Sequence, residues 1–108
     1  MEISICVQPM TVNQCWQGRR YRSKKYDAYE KEVLYSLPRH ATIQGDVMIE
    51  YLFGTPYALQ SDVDNFIKPI TDILVKKRYL KDDTQVQEVR ARKEKAKTPF
   101  IKIRITKL

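Results

Sequence analysis

The sequence predicts an α+β domain whose elements follow the order β-α-β-α-β-β, a mixed sheet with helices packed on it. Apolar residues alternate in "EISICVQ", "DVMIEYLFG" and "FIKIRITKL", the period of strands that bury one face. Between them, apolar residues recur at helical spacing from Tyr26 to Leu37 and from Phe66 to Leu74. At 108 residues, with no repeat, linker or low-complexity tract, residues 1–108 read as a single domain.

Ile3, Ile5 and Val7 mark the first strand, and Pro9 ends it. An irregular basic segment follows, in which Arg19, Arg20, Arg22, Lys24 and Lys25 gather without an acid. A helix is expected from about Ser23, with Tyr26, Tyr29, Val33, Leu34 and Leu37 on one side and Pro38 as its stop. Beyond Gly45, Val47, Ile49, Tyr51 and Phe53 share one face of the second strand. Met48 and Leu52 make its other face apolar too, so this strand is expected to be central and covered on both sides. The second helix runs to about Arg78, with Phe66, Ile67, Ile70, Ile73 and Leu74 as its apolar stripe. Pro69 removes a backbone donor, so that helix either starts late or kinks there. "TQVQEVRARKEK" and "FIKIRITKL" form the third and fourth strands and, being close in sequence, are expected to pair as an antiparallel hairpin.

Twenty Lys and Arg against thirteen Asp and Glu give a net charge of +7 and a pI near 9.5, the electrostatic footprint of a nucleic-acid or anionic-surface binder. The only cysteines, Cys6 and Cys15, match no zinc spacing, and His40 is the single histidine. They read as reduced structural cysteines and an ordinary loop or surface histidine, which argues against a zinc centre or Cys/His catalysis. The N-terminus alternates like a strand instead of showing the order of a signal peptide, and no apolar run reaches membrane-spanning length. A cytoplasmic protein with no membrane partner is expected.

Against this basic background, "SDVDNFIKP" concentrates negative charge. In an extended approach to a helix, Asp62 and Asp64 point the same way and aim at one point from about 6–7 Å apart. Asp64 also suits a helix cap, where the dipole favours its charge. Capping accounts neither for Asp62 nor for Asp82 and Asp83, which stand past the far end of the same helix, where the dipole disfavours anions. If Asp83 opens a strand running back beside the one that ends at Gly54, its carboxylate returns to the Asp62/Asp64 end. Carboxylates about 5 Å apart repel by roughly 3 kcal/mol per pair at an effective dielectric near 20, so three of them call for a cation. All-oxygen ligands suit Mg²⁺ or Mn²⁺. A calcium loop is excluded: counting from Asp62, Ile67 stands where that loop needs glycine and Ile73 where it needs glutamate. Lys68, four residues after Asp64, supports two readings. Its ammonium can hold a phosphate or steady a leaving oxygen, or it can form a plain i to i+4 pair with Asp64 or Asp72.

"DVDNFIKPITDIL" followed by "YLKDDTQV" resembles the RusA family of Holliday-junction resolvases, whose motif combines D-x-D-N, a lysine, a later helical aspartate and D-D-x-Q-V. The resemblance implies a crossover junction endodeoxyribonuclease that hydrolyses phosphodiesters with Mg²⁺, Mn²⁺ being able to substitute. Asp62, Asp64 and Asp83 then correspond to the metal-binding catalytic carboxylates and Lys68 to the catalytic lysine, with Asn65, Asp72 and Asp82 in support. It also implies a homodimer that nicks opposed strands of a four-way DNA junction, and a bacterial or prophage origin. Two departures stand out: "VKKRYL" where the family has a glycine near the end of the motif helix, and Pro69.

Phosphate contacts are assigned to Arg19, Arg20, Arg22, Lys24 and Lys25 and to the later run Arg90, Arg92, Lys93, Lys95 and Lys97. Trp16, beside the basic loop, either stacks on an unpaired base or packs. The competing reading is a non-catalytic basic nucleic-acid-binding module whose aspartates only cap a helix. A mere binder gains nothing from an anionic cluster amid its positive face.

Overall fold

Val47, Ile49, Tyr51 and Phe53 are all buried, and the strand that carries them sits inside the sheet with a neighbour on each edge. In the computed structural model, residues 1–12, 16–17, 21–56 and 62–108 are described, residues 16–17 and 21–22 by their backbone alone. The elements are β1 (Glu2–Ile5), β2 (Trp16–Gln17), β3 (Tyr21–Arg22), α1 (Lys24–Ser36), β4 (Val47–Thr55), α2 (Ile67–Lys76), β5 (Val86–Lys95) and β6 (Phe100–Lys107). Short 3₁₀ turns, Val63–Phe66 and Asp83–Gln85, lead into α2 and β5. The main sheet runs β1-β6-β4-β5 and is mixed: β4 is antiparallel to β6 and parallel to β5. This is the expected α+β order, with β2 and β3 added as a small ladder of their own.

The expected β5–β6 hairpin does not form, because β4 lies between the two strands. Exposed charges fill β5, which suits an edge, whereas β4 needs both flanks covered. The short link 96–99 crosses the end of β4, where the Ala96 N–H donates to the Thr55 carbonyl at 3.2 Å. Gly54 permits the crossing: a Cβ there would meet the Phe100 ring at 2.2 Å. One face of β4 is buried, while Met48, Glu50 and Leu52 on the other are only half-buried, so the expectation of a strand covered on both sides is corrected.

Ser23 caps α1, its Oγ accepting the Tyr26 N–H at 3.0 Å, and Leu37 and Pro38 follow the helix end. In α2, Pro69 falls within the first turn, where its missing N–H has no helical partner to lose. The late start and the turn Val63–Phe66 thus resolve the proline conflict.

The end of α2 explains the absent glycine. Arg78 adopts φ 70°, the left-handed position that glycine favours. The Tyr79 N–H reaches back to the Leu74 carbonyl and the Arg78 N–H to that of Val75, both at 3.0 Å, which is a Schellman closure. Buried Tyr79 and Leu80 then anchor the chain, and Tyr79 donates its hydroxyl hydrogen to the Pro38 carbonyl. Arg78→Gly should therefore raise stability by about 0.5–1 kcal/mol in urea denaturation, since left-handed strain exceeds the entropy glycine adds to the unfolded chain.

Candidate active site

The turn bearing Asp62 and Asp64 is fastened through an aromatic side chain. Phe66 is buried against Phe53, ring centres 5.2 Å apart, and Phe53 stacks on Tyr51 at 5.4 Å. With Phe66 turned inward, Asp62 and Asp64 are left exposed. Neither the 3₁₀ turn nor α2 has a side-chain cap, so the capping reading of Asp64 is corrected. The Asn65 N–H bonds instead to the Asp62 backbone carbonyl at 3.1 Å. Among the described residues, neither carboxylate takes part in a side-chain hydrogen bond or an ion pair.

One helical turn on, Lys68 bonds to Asp72 at 2.9 Å, so the plain i to i+4 pair exists. Both are exposed, and an exposed pair of this kind contributes a few tenths of a kcal/mol at most. Its larger consequence is chemical. The Asp72 hydrogen bond holds the Lys68 ammonium above its ordinary pKa, with the Asp72 and Asp83 charges acting in the same sense and partial desolvation against it. Beside this pair, Thr71 donates to the Ile67 carbonyl at 2.8 Å, leaving its oxygen to accept the Tyr51 hydroxyl at 2.7 Å. This bond fixes the rotation of α2 on β4.

Asp82 and Asp83 lie past the far end of α2, and the Asp83 carboxylate feels the charges of both Lys68 and Asp72. When one proton is shared between the two neighbours, their hydrogen bond draws Asp83 above the usual carboxylate range; desolvation and Asp82's charge add to this, Lys68 opposes it, and Asp72 reinforces it. Asp82 moves the other way, held down first by that bond and then by the Thr84 N–H, which donates to it at 3.3 Å.

The route expected for Asp83 is not the one taken. Val86 pairs with Val47, so Asp83 precedes a strand that runs parallel to β4 and stands near the beginning of β4, not near Gly54. Accordingly, no three His, Cys, Asp or Glu side chains among the described residues are grouped to hold a metal ion. The donor set itself, carboxylates without histidine or thiolate, is of the kind that hard divalent cations take.

The basic residues divide. Lys24 and Lys25 are exposed in the first turn of α1. Arg19 and Arg20 lie outside the described residues, as do the side chains of Trp16 and Arg22. Arg90 and Arg92 pair with Glu50 and Leu52 and share the sheet face turned away from the helices, whereas Lys93 pairs with Phe53 and faces the other way. Lys102 and Arg104 join the first two around a groove of about 410 Å³, which also holds Glu2, Glu50 and Glu94. Arg104 bonds to Glu2 at 3.1 Å and Arg90 to Glu88 at 3.4 Å, so this face is mixed in sign.

His40 is exposed in a loop, as expected. Cys6 is free and exposed, which corrects its reading as a structural thiol, and Cys15 lies outside the described residues. Gln85, the Q of the D-D-x-Q-V motif, was given no role from the sequence; it closes a capping box with Asp82 across the turn carrying Asp83. The Asp-x-x-Gln spacing was the available signal. No helix among the described residues is long and apolar enough to cross a membrane.

No curated protein matches the chain. The sequence model of the family described as Endodeoxyribonuclease RusA matches residues 7–106, a span that takes in both aspartate turns, Lys68 and Asp72. The chain belongs to the RusA family, and endonucleolytic cleavage of DNA is the activity that this family carries.

Proposed function

We propose that the protein is a Mg²⁺-dependent, structure-selective endonuclease that resolves four-way DNA junctions by paired nicks and works as a homodimer in the cytoplasm of a bacterial or phage-infected cell. The observation that carries this reading is the pair of exposed carboxylates, Asp62 and Asp64, which cap nothing, in a chain of an endodeoxyribonuclease family. Asp62 and Asp64 would hold the cation and Asp83, which is not grouped with them in this structure, would join them as it binds, with Asn65, Asp72 and Asp82 in support. Bound Mg²⁺, or Mn²⁺ in its place, would supply an activated water and positive charge at the scissile phosphate.

The chain's own groups do the rest. Lys68, kept protonated by Asp72, presents a cation to a phosphate oxygen or to the departing oxygen. Phe66 and the Tyr51–Thr71 bond hold the turn and α2 against the sheet, so that these groups meet the phosphate without further ordering. Lys24 and Lys25, with Arg19, Arg20, Arg22, Arg90, Arg92 and Lys93, would contact the DNA backbone, and Trp16 would stack on an unpaired base. A two-fold dimer would match a two-fold substrate.

The test is cleavage of a labelled synthetic four-way junction against a linear duplex of the same sequence, with Mg²⁺ and with EDTA. Paired nicks in the junction alone, and only with metal, are expected. Tight binding without cleavage in Mg²⁺ or Mn²⁺ would favour the non-catalytic binding module.

The pH dependence follows from Asp83. A raised carboxylate pKa means that its stabilising contribution is present below the ordinary value and is lost as pH rises through the raised one. Above that range the Asp82/Asp83 turn carries two adjacent charges that Lys68 and the Thr84 N–H offset only in part, and a bound cation would relieve the rest. Millimolar Mg²⁺ should therefore raise Tm by about 3–6 °C near pH 7 and by much less near pH 4, where protons compete. Thermal scans with and without Mg²⁺ at the two pH values check this.

A further inference from the structure

Among the described residues, the Gln85 side chain has every hydrogen-bonding position filled. The Gln85 Oε1 accepts the backbone N–H of Lys81 at 2.7 Å and that of Asp82 at 3.1 Å. Its Nε2 donates to the carbonyls of Ile43 at 2.9 Å and Gly45 at 2.8 Å. A primary amide offers two lone pairs and two N–H groups, and all four are used. No other side-chain type supplies that set at that length: glutamate lacks the donors, asparagine is one methylene short, and methionine makes no such bonds.

The two halves of the amide tie two different segments. One half gathers the start of the turn that carries Asp82 and Asp83. The other grips residues 43–45, the approach to β4, where Gly45 has a left-handed φ of 83°. That approach is itself laced to the end of α2: the Ile43 N–H donates to the Tyr79 carbonyl at 2.9 Å, and the Thr42 hydroxyl to that of Arg78 at 2.7 Å. The Asp83 turn is thus pinned to the start of β4 and, through it, to the helix that carries Lys68 and Asp72.

We propose that Gln85 is a positioning residue for the reaction, fixing the Asp82–Asp83 turn against the approach to β4 and with it the place from which Asp83 acts. The assignment rests on the nuclease reading above. Asp83 is exposed and its turn is short, so little burial holds it in place. The amide substitutes for that missing burial, and a displacement of about 1 Å at a reacting centre can lower a rate by roughly 10²-fold. A general contribution to folding would be a different matter, because the Thr42 hydroxyl ties the same loop without touching the aspartate turn.

The experiment compares wild type, Gln85→Met and Thr42→Val. Three readouts are taken: the single-turnover rate on pre-bound junction, junction affinity in EDTA, and amide hydrogen exchange at Lys81 and Asp82. Gln85→Met should slow the bound-state rate by about 10–100-fold, leave affinity in EDTA within about twofold, and speed exchange at both amides. Thr42→Val should lower Tm while leaving rate and exchange at those amides near wild type. Equal rate losses in the two variants at matched Tm, or an unchanged rate in Gln85→Met, would overturn the assignment and leave the nuclease reading intact. A wild-type protein that cleaves in neither Mg²⁺ nor Mn²⁺ would overturn the reading itself, and the assignment with it.

Discussion

Asp64→Asn is expected to reduce Mg²⁺-dependent junction cleavage by about 10³-fold or more while leaving the fold intact and junction binding equal or tighter. The three parts of this prediction have separate causes. Cleavage falls because a neutral amide is a poor ligand for a hard cation and cannot balance its charge. Stability holds because Asp64 is exposed and caps neither the 3₁₀ turn nor α2, so its change should remain within about 0.5 kcal/mol. Binding does not suffer because removing an anion from a surface that meets phosphates lessens repulsion. Single-turnover cleavage, a gel-shift titration in EDTA and a urea curve on the same preparation check all three. Loss of stability together with activity would return Asp64 to a structural role.

Phe66→Ala should lower stability by about 3–4 kcal/mol, seen as a lower urea midpoint at unchanged slope. The ring is 3% exposed and packs on Phe53, so its removal leaves a cavity and breaks an aromatic pair. It would also release the turn that presents Asp62 and Asp64. Phe66→Leu separates these consequences. With most of the volume kept, the fold should survive at a loss of about 1.5 kcal/mol, whereas the looser turn should still slow cleavage of bound junction several-fold. Full activity in a stably folded Phe66→Leu protein would mean that the turn is positioned by other contacts.

Features that depend on neighbours in the chain were legible in the sequence. Ser23 and Pro38 bound α1, the alternation in β4 and β6 identifies the buried faces, and Pro69 forces the late start of α2. Strand order was not legible, because alternation tells which face is buried and is silent about which edge meets which strand. Closeness in sequence favoured a β5–β6 hairpin, yet β4 has the apolar content and β5 the exposed charges, and that contrast sends β5 to an edge. The error carried into the site: Asp83 arrives at the start of β4 because β5 runs parallel to it. Arg78 reads as one more surface cation, and only its backbone angle reveals that it occupies a glycine's position. The role of Gln85, visible in the sequence only as a motif position, was hidden for a similar reason, since two of its four partners lie about forty residues away.

The central claim is that the two aspartate turns serve one cation. Calorimetric titration of Mn²⁺ into wild type, Asp62→Asn, Asp64→Asn and Asp83→Asn tests it without reference to DNA. A shared site predicts that each substitution weakens the same binding event by at least about tenfold. Unchanged Mn²⁺ affinity in Asp62→Asn and Asp64→Asn would make the turns separate surface features and contradict the joint site.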